Sequence, residues 1–89
     1  MATAAAVREA LIRAIAETRA SSVPEIEQSI RDAGGDDAVT IKSKFAEAVI
    51  ARLETMFSRQ LPAPADLDRT QFATIGALLF LLTPILQGV

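Results

Sequence analysis

The chain contains no cysteine and no histidine, and those two absences exclude more chemistry than anything present suggests. Without cysteine there is no disulfide, no thiolate metal site and no resident thiol nucleophile. Without histidine the usual zinc sites and general-base constellations are gone as well, so a serine has no imidazole to activate it. Any thiol chemistry has to arrive on an attached group. Tryptophan and tyrosine are also missing, and four phenylalanines are the only aromatics, so alanine and aliphatic side chains must fill the interior. No excess of positive charge marks a nucleic-acid surface, the net charge being −2. The opening residues up to Ala6 lack a basic segment, and Arg8, Glu9 and Arg13 interrupt the apolar run that follows, so no secretory signal is read there and a cytoplasmic protein is expected.

What is present is a hydrophobic content of 51% in 89 residues, enough for one domain over residues 1–89 with a single core. A helical bundle is the economical form for a core of that size. Val7, Leu11, Ala14 and Ile15 make one stripe of a first helix from Val7 to Thr18, ending near Ser21, with Glu9 and Arg13 paired at i,i+4. Ser22-Val23-Pro24-Glu25 reads as a capping box with proline in the first turn, opening a short helix that runs to about Ala33. Gly34 is placed to end it in the left-handed conformation. Gly34-Gly35-Asp36-Asp37 has neither a phosphate-loop spacing nor the alternating acids of a calcium loop, and is read as a plain connection.

The dominant element is Lys42 to Phe57. Phe45, Val49, Ile50, Leu53, Met56 and Phe57 fall at helical spacing, and Glu47, Arg52 and Thr55 take the other faces. Val39 and Ile41, just upstream, alternate with polar residues but have no second strand to pair with, and are expected to plug the core ahead of Ser43. Ser43 therefore stands where a loop becomes a helix. Its hydroxyl, or that of Thr40, could simply cap that helix. A phosphodiester on its oxygen would equally be favoured there, because the first turn offers unpaired N–H groups and a partial positive charge.

Downstream, Pro62 and Pro64 hold an extended exit behind Leu61, which is expected to pack on the core. Asp66 or Asp68 can cap a short helix ending near Phe72, and Thr74 can cap a last helix with Ile75, Leu78, Leu79 and Leu82 on one face. From Phe72 to Val89 there is no charge, yet Gly76, Pro84 and Gln87 interrupt the run and a core helix is expected rather than a membrane span. Phe80 and Leu81 face outward on that count.

Several of these residues together carry a resemblance. Ser43, Leu53-Glu54, Phe57 and Leu61-Pro62, followed by Ala65-Asp66-Leu67-Asp68, Phe72, Thr74-Ile75 and Leu78, resemble the acyl and peptidyl carrier proteins over about half the chain, from the second helix and exit loop to the start of the last helix. The resemblance implies an all-α fold, a small four-helix acyl-carrier-like bundle, with the segment before Gly34 as an extra short helix ahead of the modification site. It implies a phosphopantetheine arm, covalent and derived from coenzyme A, attached to Ser43, whose thiol holds an acyl or aminoacyl group as a thioester in fatty acid or polyketide biosynthesis or a related pathway. The implied partners are a phosphopantetheinyl transferase and the loading, synthase or transferase enzymes, docking over Lys42, Lys44, Glu47, Ile50 and Glu54. An acyl chain would tuck near Val49, Leu53, Ile75 and Leu78. Such a protein catalyses nothing, holds no metal and binds no nucleic acid, and a monomer is expected. The family's Asp-Ser-Leu signature is replaced here by Lys42-Ser43-Lys44. That replacement motivates a second reading, an unmodified carrier-fold protein serving as an interaction module. A third, a small protein held at a membrane by its last segment, rests on the uncharged C-terminal run.

Overall fold

A computed structural model describes residues 3–87. It is all-α, with four α-helices and three single turns of 3-10 helix among the described residues. Helix α1 spans Ala4–Thr18, α2 Val23–Ala33, α3 Ser43–Phe57 and α4 Ile75–Leu86.

Helix α1 begins earlier than the stripe from Val7 indicates, because the Thr3 hydroxyl accepts from Ala6 N–H and caps it. Its buried surface is also wider than one stripe. Val7, Leu11, Ile12, Ala14, Ile15 and Ala16 are all buried, since α1 packs against α2, α3 and α4. A helix with neighbours on three sides needs apolar residues on more than one face. Small Ala14 and Ala16 let those neighbours approach closely.

The junctions are local and follow their residues. Ser22 and Glu25 form the capping box, the serine hydroxyl accepting from Glu25 N–H and the Glu25 carboxylate from Ser22 N–H. Gly34 takes φ 111° and ends α2, its N–H donating to Ile30 and Arg31 carbonyls. Thr74 caps α4 through its hydroxyl, which accepts from Ala77 N–H at 3.0 Å. Pro84 does not end that helix, which continues to Leu86.

Two expectations are corrected. The stretch before Phe72 is not one short helix but two separate 3-10 turns, Pro64–Asp66 and Arg69–Gln71. Leu67 between them is extended, at φ −121° and ψ 155°, which breaks any continuous helical ladder. Asp68 stands at the entrance of the second turn, where its N–H donates to Gln71 Oε1, while Asp66 lies inside the first and caps nothing. Val39 to Ile41 also finds a partner. Ile41 N–H donates to Ala73 O at 2.7 Å and Ile75 N–H to Val39 O at 3.3 Å, with Thr40 bridged to Thr74. Ile41 is buried as well, so the segment both plugs the core and pairs with the entrance of α4.

Phe80 is 87% exposed on α4, beside an open groove of about 670 Å3 lined by Asp37, Gly76, Ala77 and Leu81 among others. At Gly76 the Asp37 carboxylate lies over α4 in the space a Cβ would take, so a larger residue there would require the Asp37 side chain to move. A side chain so exposed contributes little to the fold. Phe80→Gln is expected to leave thermal unfolding of the protein within about 0.5 kcal/mol of the parent, as measured by circular dichroism melts. None of the described helices is long and apolar enough to cross a membrane.

Candidate functional site

Ser43 is the first residue of α3 and is exposed. The N-cap is Lys42, at φ −83° and ψ 154°, and no side chain caps the helix. Neither Ser43 nor Thr40 therefore does what a serine or threonine before a helix commonly does. The first intrahelical bond runs from Ala46 N–H to Lys42 O at 2.9 Å. The amides of Ser43, Lys44 and Phe45 precede it and point out of the helix end with no side-chain acceptor. An exposed hydroxyl thus lies among free donors at the positive end of a 15-residue helix.

This helix end is held in place by the pairing of Val39–Ile41 with Ala73–Ile75, one residue upstream of Lys42. The entrances of α3 and α4 are thereby tied together. Ser43 follows two residues after the buried Ile41 side chain, so its position is set by the core.

The surroundings are basic. The Arg19 guanidinium lies over the Phe45 ring, 5.1 Å from its centroid, on the side of α3 that carries its N-terminus. Arg19, Thr40, Ile41, Lys42 and Phe45 line a shallow cavity of about 370 Å3 there. Arg19, Lys42 and Lys44 are all exposed, and none of them is ion-paired among the described residues. Arg19 had no place in the sequence reading. The 26 positions between Arg19 and Phe45 hide the link, and no pattern in the sequence signals it.

The five positions expected on a docking face are not equivalent. Lys42, Lys44 and Glu47 are exposed along one end of α3. Ile50 is 3% exposed and belongs to the core, so a partner cannot reach it. Its apolar side chain lies on the face that α3 turns inward, together with Ala46, Val49 and Leu53. Glu54 is half-buried and accepts from Leu61 N–H at 2.8 Å, which anchors the exit loop. That carboxylate has a structural task already.

The expected binding place for an acyl chain is closed. Val49, Leu53, Ile75 and Leu78 are between 0 and 1% exposed in a close-packed core. The cavity lined by Ile75 together with Ile15, Ile26 and Ile30 measures about 20 Å3, room for about one water molecule and not for a hydrocarbon chain. No cluster of three metal-binding side chains occurs among the described residues.

Elsewhere, Arg8 joins three elements. Its guanidinium donates to both Glu27 carboxylate oxygens at 3.0 Å and to both Asp36 oxygens at 2.9 and 3.1 Å. These forks hold α1, α2 and the turn Asp36–Ala38 together. The Arg8 hydrogen bonds keep the Glu27 carboxyl below the usual glutamate range, and the two acids hold Arg8 above its ordinary value. No family model, curated protein or solved structure matches this chain.

Proposed function

We propose that this chain is a cytoplasmic carrier, in which Ser43 bears a phosphopantetheine arm from coenzyme A and presents an acyl or aminoacyl thioester to partner enzymes while catalysing nothing itself. The observation that carries the reading is Ser43: an exposed hydroxyl on the first turn of α3 that caps nothing, next to amides with no side-chain acceptor. A phosphodiester formed there gains from the helix dipole by roughly 0.3–1 kcal/mol, and Lys42, Lys44 and Arg19 add attraction. In the modification, Ser43 Oγ attacks the phosphorus of the pantetheine phosphate, adenosine bisphosphate leaves, and the serine proton passes to a base on the transferase. The acyl-carrier-like arrangement of helices belongs to this proposal, with α2 as its additional helix. Because the core around Val49 and Leu53 is closed, the cargo is proposed to ride outside it on the arm.

A second reading is favoured by one specific observation, the lysines on both sides of the serine. An unmodified carrier-fold protein would use the same exposed helix end purely as a binding surface. One experiment separates the two. After incubation with coenzyme A and a broad-specificity phosphopantetheinyl transferase, the intact mass is expected to rise by one arm in the parent and not at all in Ser43→Ala. Absence of any addition with several transferases would leave the interaction module standing.

A further inference from the structure

We propose that the N-terminal end of α3 docks an acidic protein surface, one whose carboxylates meet Arg19, Lys42 and Lys44. The inference rests on the docking role of α3 proposed above and names the chemistry of the partner. Arg19 and Lys42 share one cavity at this helix end and Lys44, two residues on, lines the neighbouring groove, all three exposed in a chain whose net charge is −2. Most of the other arginines on the helices are engaged elsewhere: Arg8 by Glu27 and Asp36, Arg13 by Glu9, and Arg52 by Glu17. Arg19, Lys42 and Lys44 are in no ion pair among the described residues, and the positive end of α3 adds to their field.

The shape agrees with a protein partner. Arg19 is braced on the Phe45 ring, which orders a long side chain before anything binds and lowers the entropy lost on docking. The cavity of about 370 Å3 is lined by the apolar Phe45 and Ile41 and by the polar Arg19, Lys42 and Thr40. A carboxylate next to an apolar side chain complements such a surface. A nucleic acid does not fit it as well. A phosphate backbone needs a basic track along its length, whereas Glu47, on the next turn of α3, lines the same groove as Lys44. A membrane surface is opposed by the same acid, and the apolar side of α3 is already buried.

The test uses the full chain labelled for amide NMR. The probe is a short peptide of alternating glutamate and leucine with blocked ends. A lysine and leucine peptide, oligothymidylate and phosphatidylserine vesicles serve as comparisons. The acidic peptide is expected to give saturable shifts at Arg19, Lys42, Lys44 and Phe45 that fade with added salt. The combined reversal Arg19→Glu, Lys42→Glu and Lys44→Glu is expected to weaken binding by roughly tenfold or more, while its melting curve checks that the variant is folded. Shifts that never saturate, shifts centred elsewhere, equal binding by the reversed variant, or tighter binding of the oligothymidylate or the vesicles would each overturn the proposal. The peptide is also applied to Ser43→Ala, where binding is expected to persist. If no arm can be added to Ser43 but this binding holds, the carrier reading falls and the acidic partner stands. If the arm is added and the peptide does not bind, the reverse is true.

Discussion

Leu53→Ala is expected to lower the stability of the protein by about 3 kcal/mol, within the range known for leucine truncation in well-packed cores. Leu53 is 0% exposed on the inward face of α3, in the same buried cluster as Leu11, Val49 and Leu78. Removing its isobutyl group loses the transfer free energy of the buried carbons and leaves a cavity that rigid helices fill only in part. For a domain of this size the melting temperature should fall by roughly 12–24 °C, read by circular dichroism. The same variant bears on the interior as a cargo site. If the core is closed as the packing shows, parent and variant should differ in stability, with no acyl chain needed to restore the parent. A loss under 1 kcal/mol would mean that the space around Leu53 is looser than its burial indicates.

Arg8→Met should have the second largest effect, about 1–2 kcal/mol. The methionine keeps most of the apolar stem but removes both forks, leaving Glu27 and Asp36 facing each other without a cation. Bonds to charged groups are worth more than this when buried, and the value is reduced because the Arg8 side chain is 33% exposed. Arg8→Lys should recover little, since an ammonium cannot make two planar forks. The pH dependence gives an independent signature. Arg8 depresses the Glu27 carboxyl, so its contribution is fully present above the ordinary glutamate value of 4.5 and is lost as pH falls through the lower folded value. Glu25 acts in the same sense, held down by the Ser22 N–H and hydroxyl. Without histidine, no side chain of ordinary pKa titrates between pH 5 and 8. Urea unfolding should therefore give a flat stability across that range and a decline below it, and the decline should be shallower in Arg8→Met.

Much of the frame was legible from neighbouring residues. The extents of α2 and α3, the capping box at Ser22, the left-handed Gly34 and the threonine cap of α4 all depend on partners within four positions in the chain. Interactions of that range leave a pattern in the sequence. The failures have the opposite character. The single apolar stripe on α1 understated a helix buried on several sides, because Ile12 and Ala16, which lie off that stripe, are buried as well by three packed neighbours. Ile50 looked like a surface position in the resemblance and is in the core because α3 turns that face toward α1. The third short helix dissolved into two turns at Leu67, where the extended conformation divides two local signals that each looked helical.

The candidate site divides along the same line. Its serine, its lysines and its place at a helix entrance are properties of adjacent residues, and the sequence by itself determined them, together with the all-α class and the absence of thiol and imidazole chemistry. Tertiary structure alone decided that Ser43 caps nothing, that Arg19 stands over Phe45, that residues 39–41 are stitched to 73–75, and that Arg8 joins segments 19 and 28 residues away. Those contacts form only after the chain has paid loop-closure entropy to bring distant segments together, so no short-range pattern can announce them. Whether a cation ends beside an acid or beside an aromatic depends on which helices pack, and packing is settled by the whole core at once.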